Sequence, residues 1–430
     1  MIYPDAKAQC IAKARQFVIP GRVRSLEAMG VMPVMASANG YRFRDMDGRE
    51  FQDFHLNGGT FTLGHRNPDL IEALESSLRT IGVGNHHFVS CARAELAEKL
   101  VASVPGLRYA VFTTSGSEAN DVAIKSARRA TGRRKIVSIA QGYHGRSGLS
   151  GAAGDADNAR YFLSAMDGEF CTVPFNDTQA LESVLSEESA AALLIETIPA
   201  TFGFLTPDVD YFVQARKLCD RYGTLLIADE VQTGLGRTGA LWGIEGFGIR
   251  PDILVTGKGL SGGLYPIAAA VLSERSGAWL EDNGWGHVST FGGADMGCRV
   301  ALRVLEICSE PFRLAHATRL SDYLRAELSE MACRKGYLKS IHGRGLVMGL
   351  EFDSPSGGPD MMKASYDRGL WAMFASFNSA VLQFKPGFLT DFEYCAEALQ
   401  RLEEAIDAAK GMPRGKAIKL ASGADGVGAS

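Results

Sequence analysis

Asp208-Val209-Asp210-Tyr211-Phe212-Val213-Gln214-Ala215-Arg216-Lys217-Leu218-Cys219-Asp220-Arg221-Tyr222-Gly223-Thr224-Leu225-Leu226-Ile227-Ala228-Asp229-Glu230 carries two structural periods in succession. Over 208–222, Tyr211, Phe212, Ala215, Leu218, Cys219 and Tyr222 fall on one helical stripe, and Gly223 follows as a C′ stop. Residues 224–228 then form a short, almost wholly apolar run closed by two carboxylates, the pattern of a strand buried on both faces. A helix feeding such a strand is half of a βαβ crossover. Outward from it, 109–113, 135–140, 191–196, 253–256 and 267–272 are further short apolar runs separated by helical segments. The alternation predicts an α/β fold with a mostly parallel sheet covered on both faces.

The rest of the chain is organised around that unit. At 430 residues and about 150 residues per domain, one large domain with a smaller companion is expected. The reading divides the chain into an N-terminal segment (1–55) that joins the small domain, a large domain (56–310), a small α+β domain (311–410) and a disordered tail (411–430). In the first segment, 36–54 predicts two short strands turned at Asp47-Gly48. In the small domain, amphipathic helices over 313–335 and 393–410 flank strands at 346–352 and 380–384. The helical stretch 296–310 marks the boundary.

Composition excludes several classes of function. Hydrophobic residues make up 46% and charged residues 22%, so a folded body rather than a disordered chain is expected. Lys plus Arg number 45 against 49 Asp plus Glu with no block of like charge, which argues against a nucleic-acid or membrane-surface partner. No secretory h-region and no run of about 18 apolar residues is present, so a cytoplasmic location is expected. The eight cysteines stand singly without a CxxC pair, as buried reduced thiols do. The eight histidines, His86 and His87 adjacent, lack metal-ligand spacing, and no metal is expected.

The chemistry gathers at the predicted C-terminal ends of strands, where open α/β sheets bind ligands. Thr113-Thr114-Ser115-Gly116-Ser117-Glu118-Ala119-Asn120 ends one strand and opens a helix, an arrangement that offers free N–H groups and a Ser117 hydroxyl to an anion, or serves as a plain cap. Asp229-Glu230 closes the strand of the opening stretch. Val255-Thr256-Gly257-Lys258-Gly259 closes another with a lysine between glycines. A lysine held against apolar residues can be desolvated enough to form a Schiff base, and a carboxylate facing a pyridine nitrogen keeps that nitrogen protonated. With an anion cradle, these are the parts of a pyridoxal 5′-phosphate (PLP) site. Gly234-Leu235-Gly236-Arg237-Thr238-Gly239 satisfies G-x-G-x-x-G but precedes no helix, so it is read as a loop over the cofactor entrance, not a dinucleotide site.

In these motifs the sequence resembles a class III (ω-type) aminotransferase of PLP fold type I, over residues 20–405. The resemblance implies a seven-stranded-type, mostly parallel sheet in the large domain. It implies that Lys258 is the Schiff-base lysine and the base and acid of the proton transfer, with Asp229 paired to the pyridinium nitrogen. It further implies Gln232 at the ring's phenolic oxygen, Ser115, Gly116 and Ser117 at the phosphate, Tyr143 stacked on the ring, and Glu196 as an acid near the cofactor. Thr290, in Thr290-Phe291-Gly292-Gly293, matches a loop that reaches the phosphate of the neighbouring subunit, which implies a homodimer. His144 reads as a structural neighbour of Tyr143.

Two positions depart from the family pattern. Gln383, in Val381-Leu382-Gln383-Phe384-Lys385-Pro386-Gly387-Phe388, stands where many members carry a carboxylate-gripping Arg, and His342 stands in place of the Arg usual before Gly-x-Gly-Leu. Either Arg344 or Lys385 takes over with a different geometry, or Gln383 is a neutral surface-strand residue. Ile19-Pro20-Gly21 and the stretch 40–48 resemble the glutamate-1-semialdehyde aminomutase branch. The reading is a transaminase acting by ping-pong chemistry on small-molecule amines and carbonyl compounds, with an aldehyde of an amino sugar, as in aminoglycoside antibiotic biosynthesis, favoured as acceptor. Aminomutation and epimerisation are the alternatives.

Overall fold

The computed structural model describes residues 6–412 except 83, 85 and 86, so most of the tail read as disordered, and His86, lie outside the described residues. Fifteen strands are numbered along the described chain. They are β1 (Met35–Asn39), β2 (Arg42–Asp45), β3 (Glu50–Asp53), β4 (Leu107–Thr113), β5 (Lys135–Ile139), β6 (Phe170–Val173), β7 (Ala190–Glu196), β8 (Leu225–Asp229), β9 (Ile253–Thr256), β10 (Ala268–Ser273), β11 (Leu338–Arg344), β12 (Val347–Phe352), β13 (Leu370–Trp371), β14 (Met373–Ala375) and β15 (Asn378–Phe384). The central sheet has seven strands in the order β4-β10-β9-β8-β7-β5-β6. All pairings are parallel except those of β10, which runs antiparallel to both β4 and β9.

The apolar runs explain why β7, β8 and β9 are buried along their whole length. Successive side chains leave opposite faces of a strand. Leu193, Ile195, Leu226, Ala228 and Leu254 enter one core, while Ala192, Leu194, Leu225, Ile227, Ile253 and Val255 enter the other. Truncating one of these leucines costs about 2–5 kcal/mol, because both covers are closely packed. The helix Gly116–Thr131 lies across β4, β10 and β9 on the second face. The helix Tyr211–Tyr222 ends at Gly223, whose φ is 65°, as its stripe and stop predict.

Away from this sheet the structure adds elements that the sequence reading lacked. Residues 35–53 form three strands, because Gly40 at φ 54° turns β1 into β2 before the turn at Asp47-Gly48 joins β2 to β3. In that second turn Asp45 Oδ1 accepts from the N–H groups of Asp47 and Arg49, each at 3.0 Å. β3 then pairs in parallel with β13, so the first strands are hydrogen-bonded to the C-terminal part of the chain. A third sheet, β11-β12-β15-β14, is antiparallel. β11, β14 and the helix Gly357–Asp367 are unforeseen, the helix because it opens on Gly357-Gly358-Pro359. The helix Asp295–Ser309 stops at Glu310, and Pro311 starts the helix Pro311–Lys335. Among the described residues no helix is long and apolar enough to cross a membrane, and no group of three His, Cys, Asp or Glu side chains could hold a metal. The cysteines are unbridged; Cys219, Cys298, Cys308 and Cys395 are buried, but Cys10, Cys91 and Cys333 are exposed, contrary to the expectation of burial.

Candidate active site

The sheet register brings the predicted residues to one edge. Glu196, last in β7, sits opposite Asp229, last in β8, and Asp229 sits beside Val255 of β9, which ends one residue later at Thr256. The chain then turns through Gly257 into Lys258, which has a left-handed backbone at φ 43°. A non-glycine residue there stores about 1–3 kcal/mol of strain, a cost typical of functional positions. Ala268 of β10 is registered against Thr113 of β4, so the helix that opens at Gly116 faces the same edge. A cavity of about 420 Å³ lies there, lined by Ser115, Gly116, Ser117, Tyr143, Glu196, Asp229, Gln232 and Lys258. The structure therefore gathers every predicted site residue except Thr290, which lies on an exposed loop and does not line this cavity in the single chain.

Asp229 is the most constrained group. Its Oδ2 accepts from Asn120 Nδ2 and faces His144 Nδ1, both at 2.9 Å, and its Oδ1 accepts from the Val231 N–H at 3.1 Å. Asn120 Nδ2 also bonds the His144 carbonyl at 2.8 Å, locking the segment that carries Tyr143. These partners lie 109 and 85 residues from Asp229 in sequence, and adjacency in the chain gives no signal of them. Glu196, also buried, accepts from the Tyr143 N–H at 2.9 Å and the Ala200 N–H at 3.2 Å, while burial pushes its pKa up.

Lys258 Nζ is 5.9 Å from the Tyr143 ring centroid. Burial lowers its pKa, with Asp229 and Glu196 opposing the shift, so a neutral amine is reached below the ordinary lysine range. A Cβ built on Gly58, at φ 71°, would stand 3.1 Å from Lys258 Cε, and the segment ahead of it therefore packs directly on the lysine.

The anion cradle is built at the helix opening. The Ser115 hydroxyl accepts from the Glu118 N–H at 3.2 Å, which caps the helix and leaves its O–H proton to be donated. The Ser117 hydroxyl bonds those of Ser147 and Ser150, each at 2.7 Å, and accepts from the N–H groups of Arg146 and Ser147 at 3.2 Å. A Cβ at Gly145 would fall 2.1 Å from Ser117 Oγ, so only glycine lets loop and helix meet. Arg146, which the sequence reading passed over, lines the cavity, pairs with Asp155 at 2.7 Å and lies over Tyr143 at 5.2 Å.

These residues fit PLP. A helix N-terminus with a hydroxyl suits a phosphate, a held carboxylate suits a pyridinium, and Gln232 Oε1 is buried without a hydrogen-bond partner among the described residues. Two expectations are corrected. The loop 234–239 does not lie over the entrance: Arg237 is 2% exposed and donates to the carbonyls of Pro386 and Leu346 at 3.0 and 2.9 Å, binding the loop to the C-terminal part of the chain. Gln383 is not a surface residue either. It is 6% exposed, and its Oε1 accepts from Lys385 Nζ at 2.8 Å, whereas Arg344 bonds Gly246 at the exposed surface.

Comparison with known proteins decides the family. Residues 26–406 match the family model Aminotransferase class-III. The chain belongs to the class-III aminotransferases. It is 40% identical over 397 residues to an uncharacterized aminotransferase of Archaeoglobus fulgidus, covering 91% of this chain and 93% of that one. It is 34% identical over 377 residues to an acetylornithine aminotransferase of Neisseria meningitidis, covering 86% and 93%. The ornithine aminotransferase of Toxoplasma gondii, whose structure has PLP in partial occupancy, superposes with a TM-score of 0.86 at 26% identity over 95% of this chain and 96% of that one. As a member, the chain is a PLP-dependent aminotransferase.

Proposed function

We propose that this aminotransferase moves an amino group from a primary amine to an aldehyde or ketone by two half-reactions at Lys258. The observation that carries the reading is a lysine amine of lowered pKa on one cavity with a rigidly held carboxylate and a helix-end anion cradle. When bound, PLP supplies an aldehyde that condenses with amines and a ring that accepts an electron pair. Gly116 and Ser117 would hold its phosphate, Asp229 would keep its ring nitrogen protonated, Gln232 would meet its phenolic oxygen, and Tyr143 and Val231 would line the space for the ring. Lys258 Nζ takes the proton from the carbon bearing the amine and returns it on the other side of the transfer. Glu196 keeps that amine from losing all its basicity. Asn120 and His144 act through Asp229 as positioning residues.

The ornithine and acetylornithine aminotransferase names of the relatives support the amine of an amino acid as donor. Ile19, Pro20 and Gly21, which prompted the aminomutase alternative, are exposed around the start of the helix Pro20–Ala28 and do not line the cavity in the single chain. Aminomutation, epimerisation and transfer to an amino-sugar aldehyde would use the same lysine, and labelled donor nitrogen reaching a separate acceptor distinguishes transfer from the first two. A homodimer in which the partner subunit's Thr290 reaches the phosphate completes the proposal. Borohydride reduction of purified holoenzyme followed by peptide mapping tests it. Cofactor mass on the Lys258 peptide is expected; an unlabelled Lys258 refutes the reading.

A further inference from the structure

The segment that packs on Lys258 has a backbone that leucine and asparagine rarely adopt. Leu56, Asn57, Gly58 and Gly59 have φ of 53°, 47°, 71° and 97° in succession, and Leu56 is fully buried. A left-handed backbone at a bulky residue costs free energy and persists only where its surroundings hold it, most often beside a functional group. Lys258, across the contact, is left-handed as well. The two bends meet closely. Besides the approach of Gly58 to Lys258 Cε, a Cβ built on Gly259 would stand 3.2 Å from Thr62 Cγ2 and 3.3 Å from the Gly59 carbonyl oxygen.

Asp53, the last residue of β3, holds this segment. Its Oδ1 accepts from the N–H groups of His55 and Leu56 at 3.0 and 2.7 Å, which ties down the start of the bend. Its Oδ2 faces His65 Nε2 at 2.9 Å, and both side chains are 4% exposed. His65 is itself fixed. Its ring is stacked on Phe61 with centroids 3.8 Å apart, its N–H donates to the Gly40 carbonyl at 2.6 Å, and its carbonyl accepts from the Gly40 N–H at 3.0 Å. One buried carboxylate therefore clasps both ends of the stretch 55–65, and the middle of that stretch rests on the lysine stem. The stem is otherwise flexible, and an amine that carries a proton between two atoms works efficiently only when it is held in reach of both.

We propose that Asp53, locked by His65, is a positioning residue for Lys258: through the bend 55–59 it holds the lysine stem so that Nζ stays in reach of the carbon it deprotonates. The inference rests on the transaminase reading and adds to it a residue that does not line the cavity.

The test is made on the holoenzymes of wild type, Asp53→Ala and Asp53→Asn, with ornithine as donor. In Asp53→Ala the bend loses its acceptor, and the maximal rate of the amine half-reaction should fall about 10- to 100-fold, the cost of misplacing a reacting group by about 1 Å. The amine concentration that half-saturates it, which the stem does not set, should stay unchanged. The pH midpoint of the cofactor absorbance, which follows the proton on Nζ, should rise, because a loosened stem admits water and water favours the charged form. This midpoint needs no amine, so it decides the question even where ornithine is a poor donor. Asp53→Asn keeps an oxygen for both N–H groups and should restore rate and midpoint. A folded Asp53→Ala enzyme whose rate or midpoint is unmoved overturns the inference, and so does an Asn variant as impaired as the Ala one. Where Asp53→Ala does not fold, His65→Ala, which leaves Asp53 its two N–H partners, should show the same changes at smaller size, and their absence overturns the inference. Borohydride labelling of the same preparations separates the two layers: a labelled Lys258 with an unmoved midpoint sinks only this inference, whereas an unlabelled Lys258 in the wild type sinks the transaminase reading.

Discussion

Gly145→Ala is the sharpest probe of the anion cradle. At φ 135° an alanine is strained, and its Cβ would meet Ser117 Oγ at 2.1 Å, Cβ at 2.6 Å and Cα at 2.8 Å. The last two are parts of a helix that cannot yield. The loop must therefore move off the helix end by about 1 Å to restore van der Waals contact. That movement breaks the bonds from the Arg146 and Ser147 N–H groups to Ser117 Oγ, already at 3.2 Å. Strain at positive φ costs about 1–2 kcal/mol and overpacking about 1–3 kcal/mol. With the cofactor absent, the loop can open and relieve both, so the cost falls on cofactor binding. A total of about 2–5 kcal/mol predicts PLP affinity weaker by about 30- to 5000-fold. Titration of apoenzyme with PLP, followed by its absorbance, measures this. An affinity within threefold of wild type, with thermal stability unchanged, would refute the placement of the cradle between Gly145 and Ser117.

Two further outcomes follow from the site and its support. Glu196 raises the pKa of Lys258 against burial, so Glu196→Gln should let that pKa fall further and move the acid limb of the amine half-reaction to lower pH, and a limb displaced upward would contradict the electrostatics. Arg237→Lys keeps charge but loses the planar fork that reaches the Pro386 and Leu346 carbonyls; it should cost about 2–4 kcal/mol in urea denaturation, and a loss below 0.5 kcal/mol, on the order of a surface change, would show that the fork carries no weight.

The central sheet was legible because β7, β8 and β9 are buried on both faces, and total burial leaves an uninterrupted apolar run. Asp229 and Lys258 stood out because a charge closing such a run can only sit at a sheet edge. The half-exposed edge strand β6, Phe170-Cys171-Thr172-Val173, left no such trace, and the direction of β10 is invisible to periodicity. Gln383 misled for a related reason. In β15 it lies between buried Leu382 and Phe384, and only the fold brings Ala200 against it. The holders of Asp229, Asn120 and His144, come from distant segments, so a linear reading could name the acid but not what fixes it.

The placement of β10 has a consequence for biosynthesis. β4, which ends just before the helix opening at Gly116, borders only β10 among the described strands of the sheet, and β10 begins at Ala268, long after Thr113 has left the ribosome. Until then its edge N–H and C=O groups await their strand, an invitation to pairing between nascent chains. Fragments truncated before Ala268 should therefore be aggregation-prone, whereas fragments that extend past Ser273 carry all seven strands.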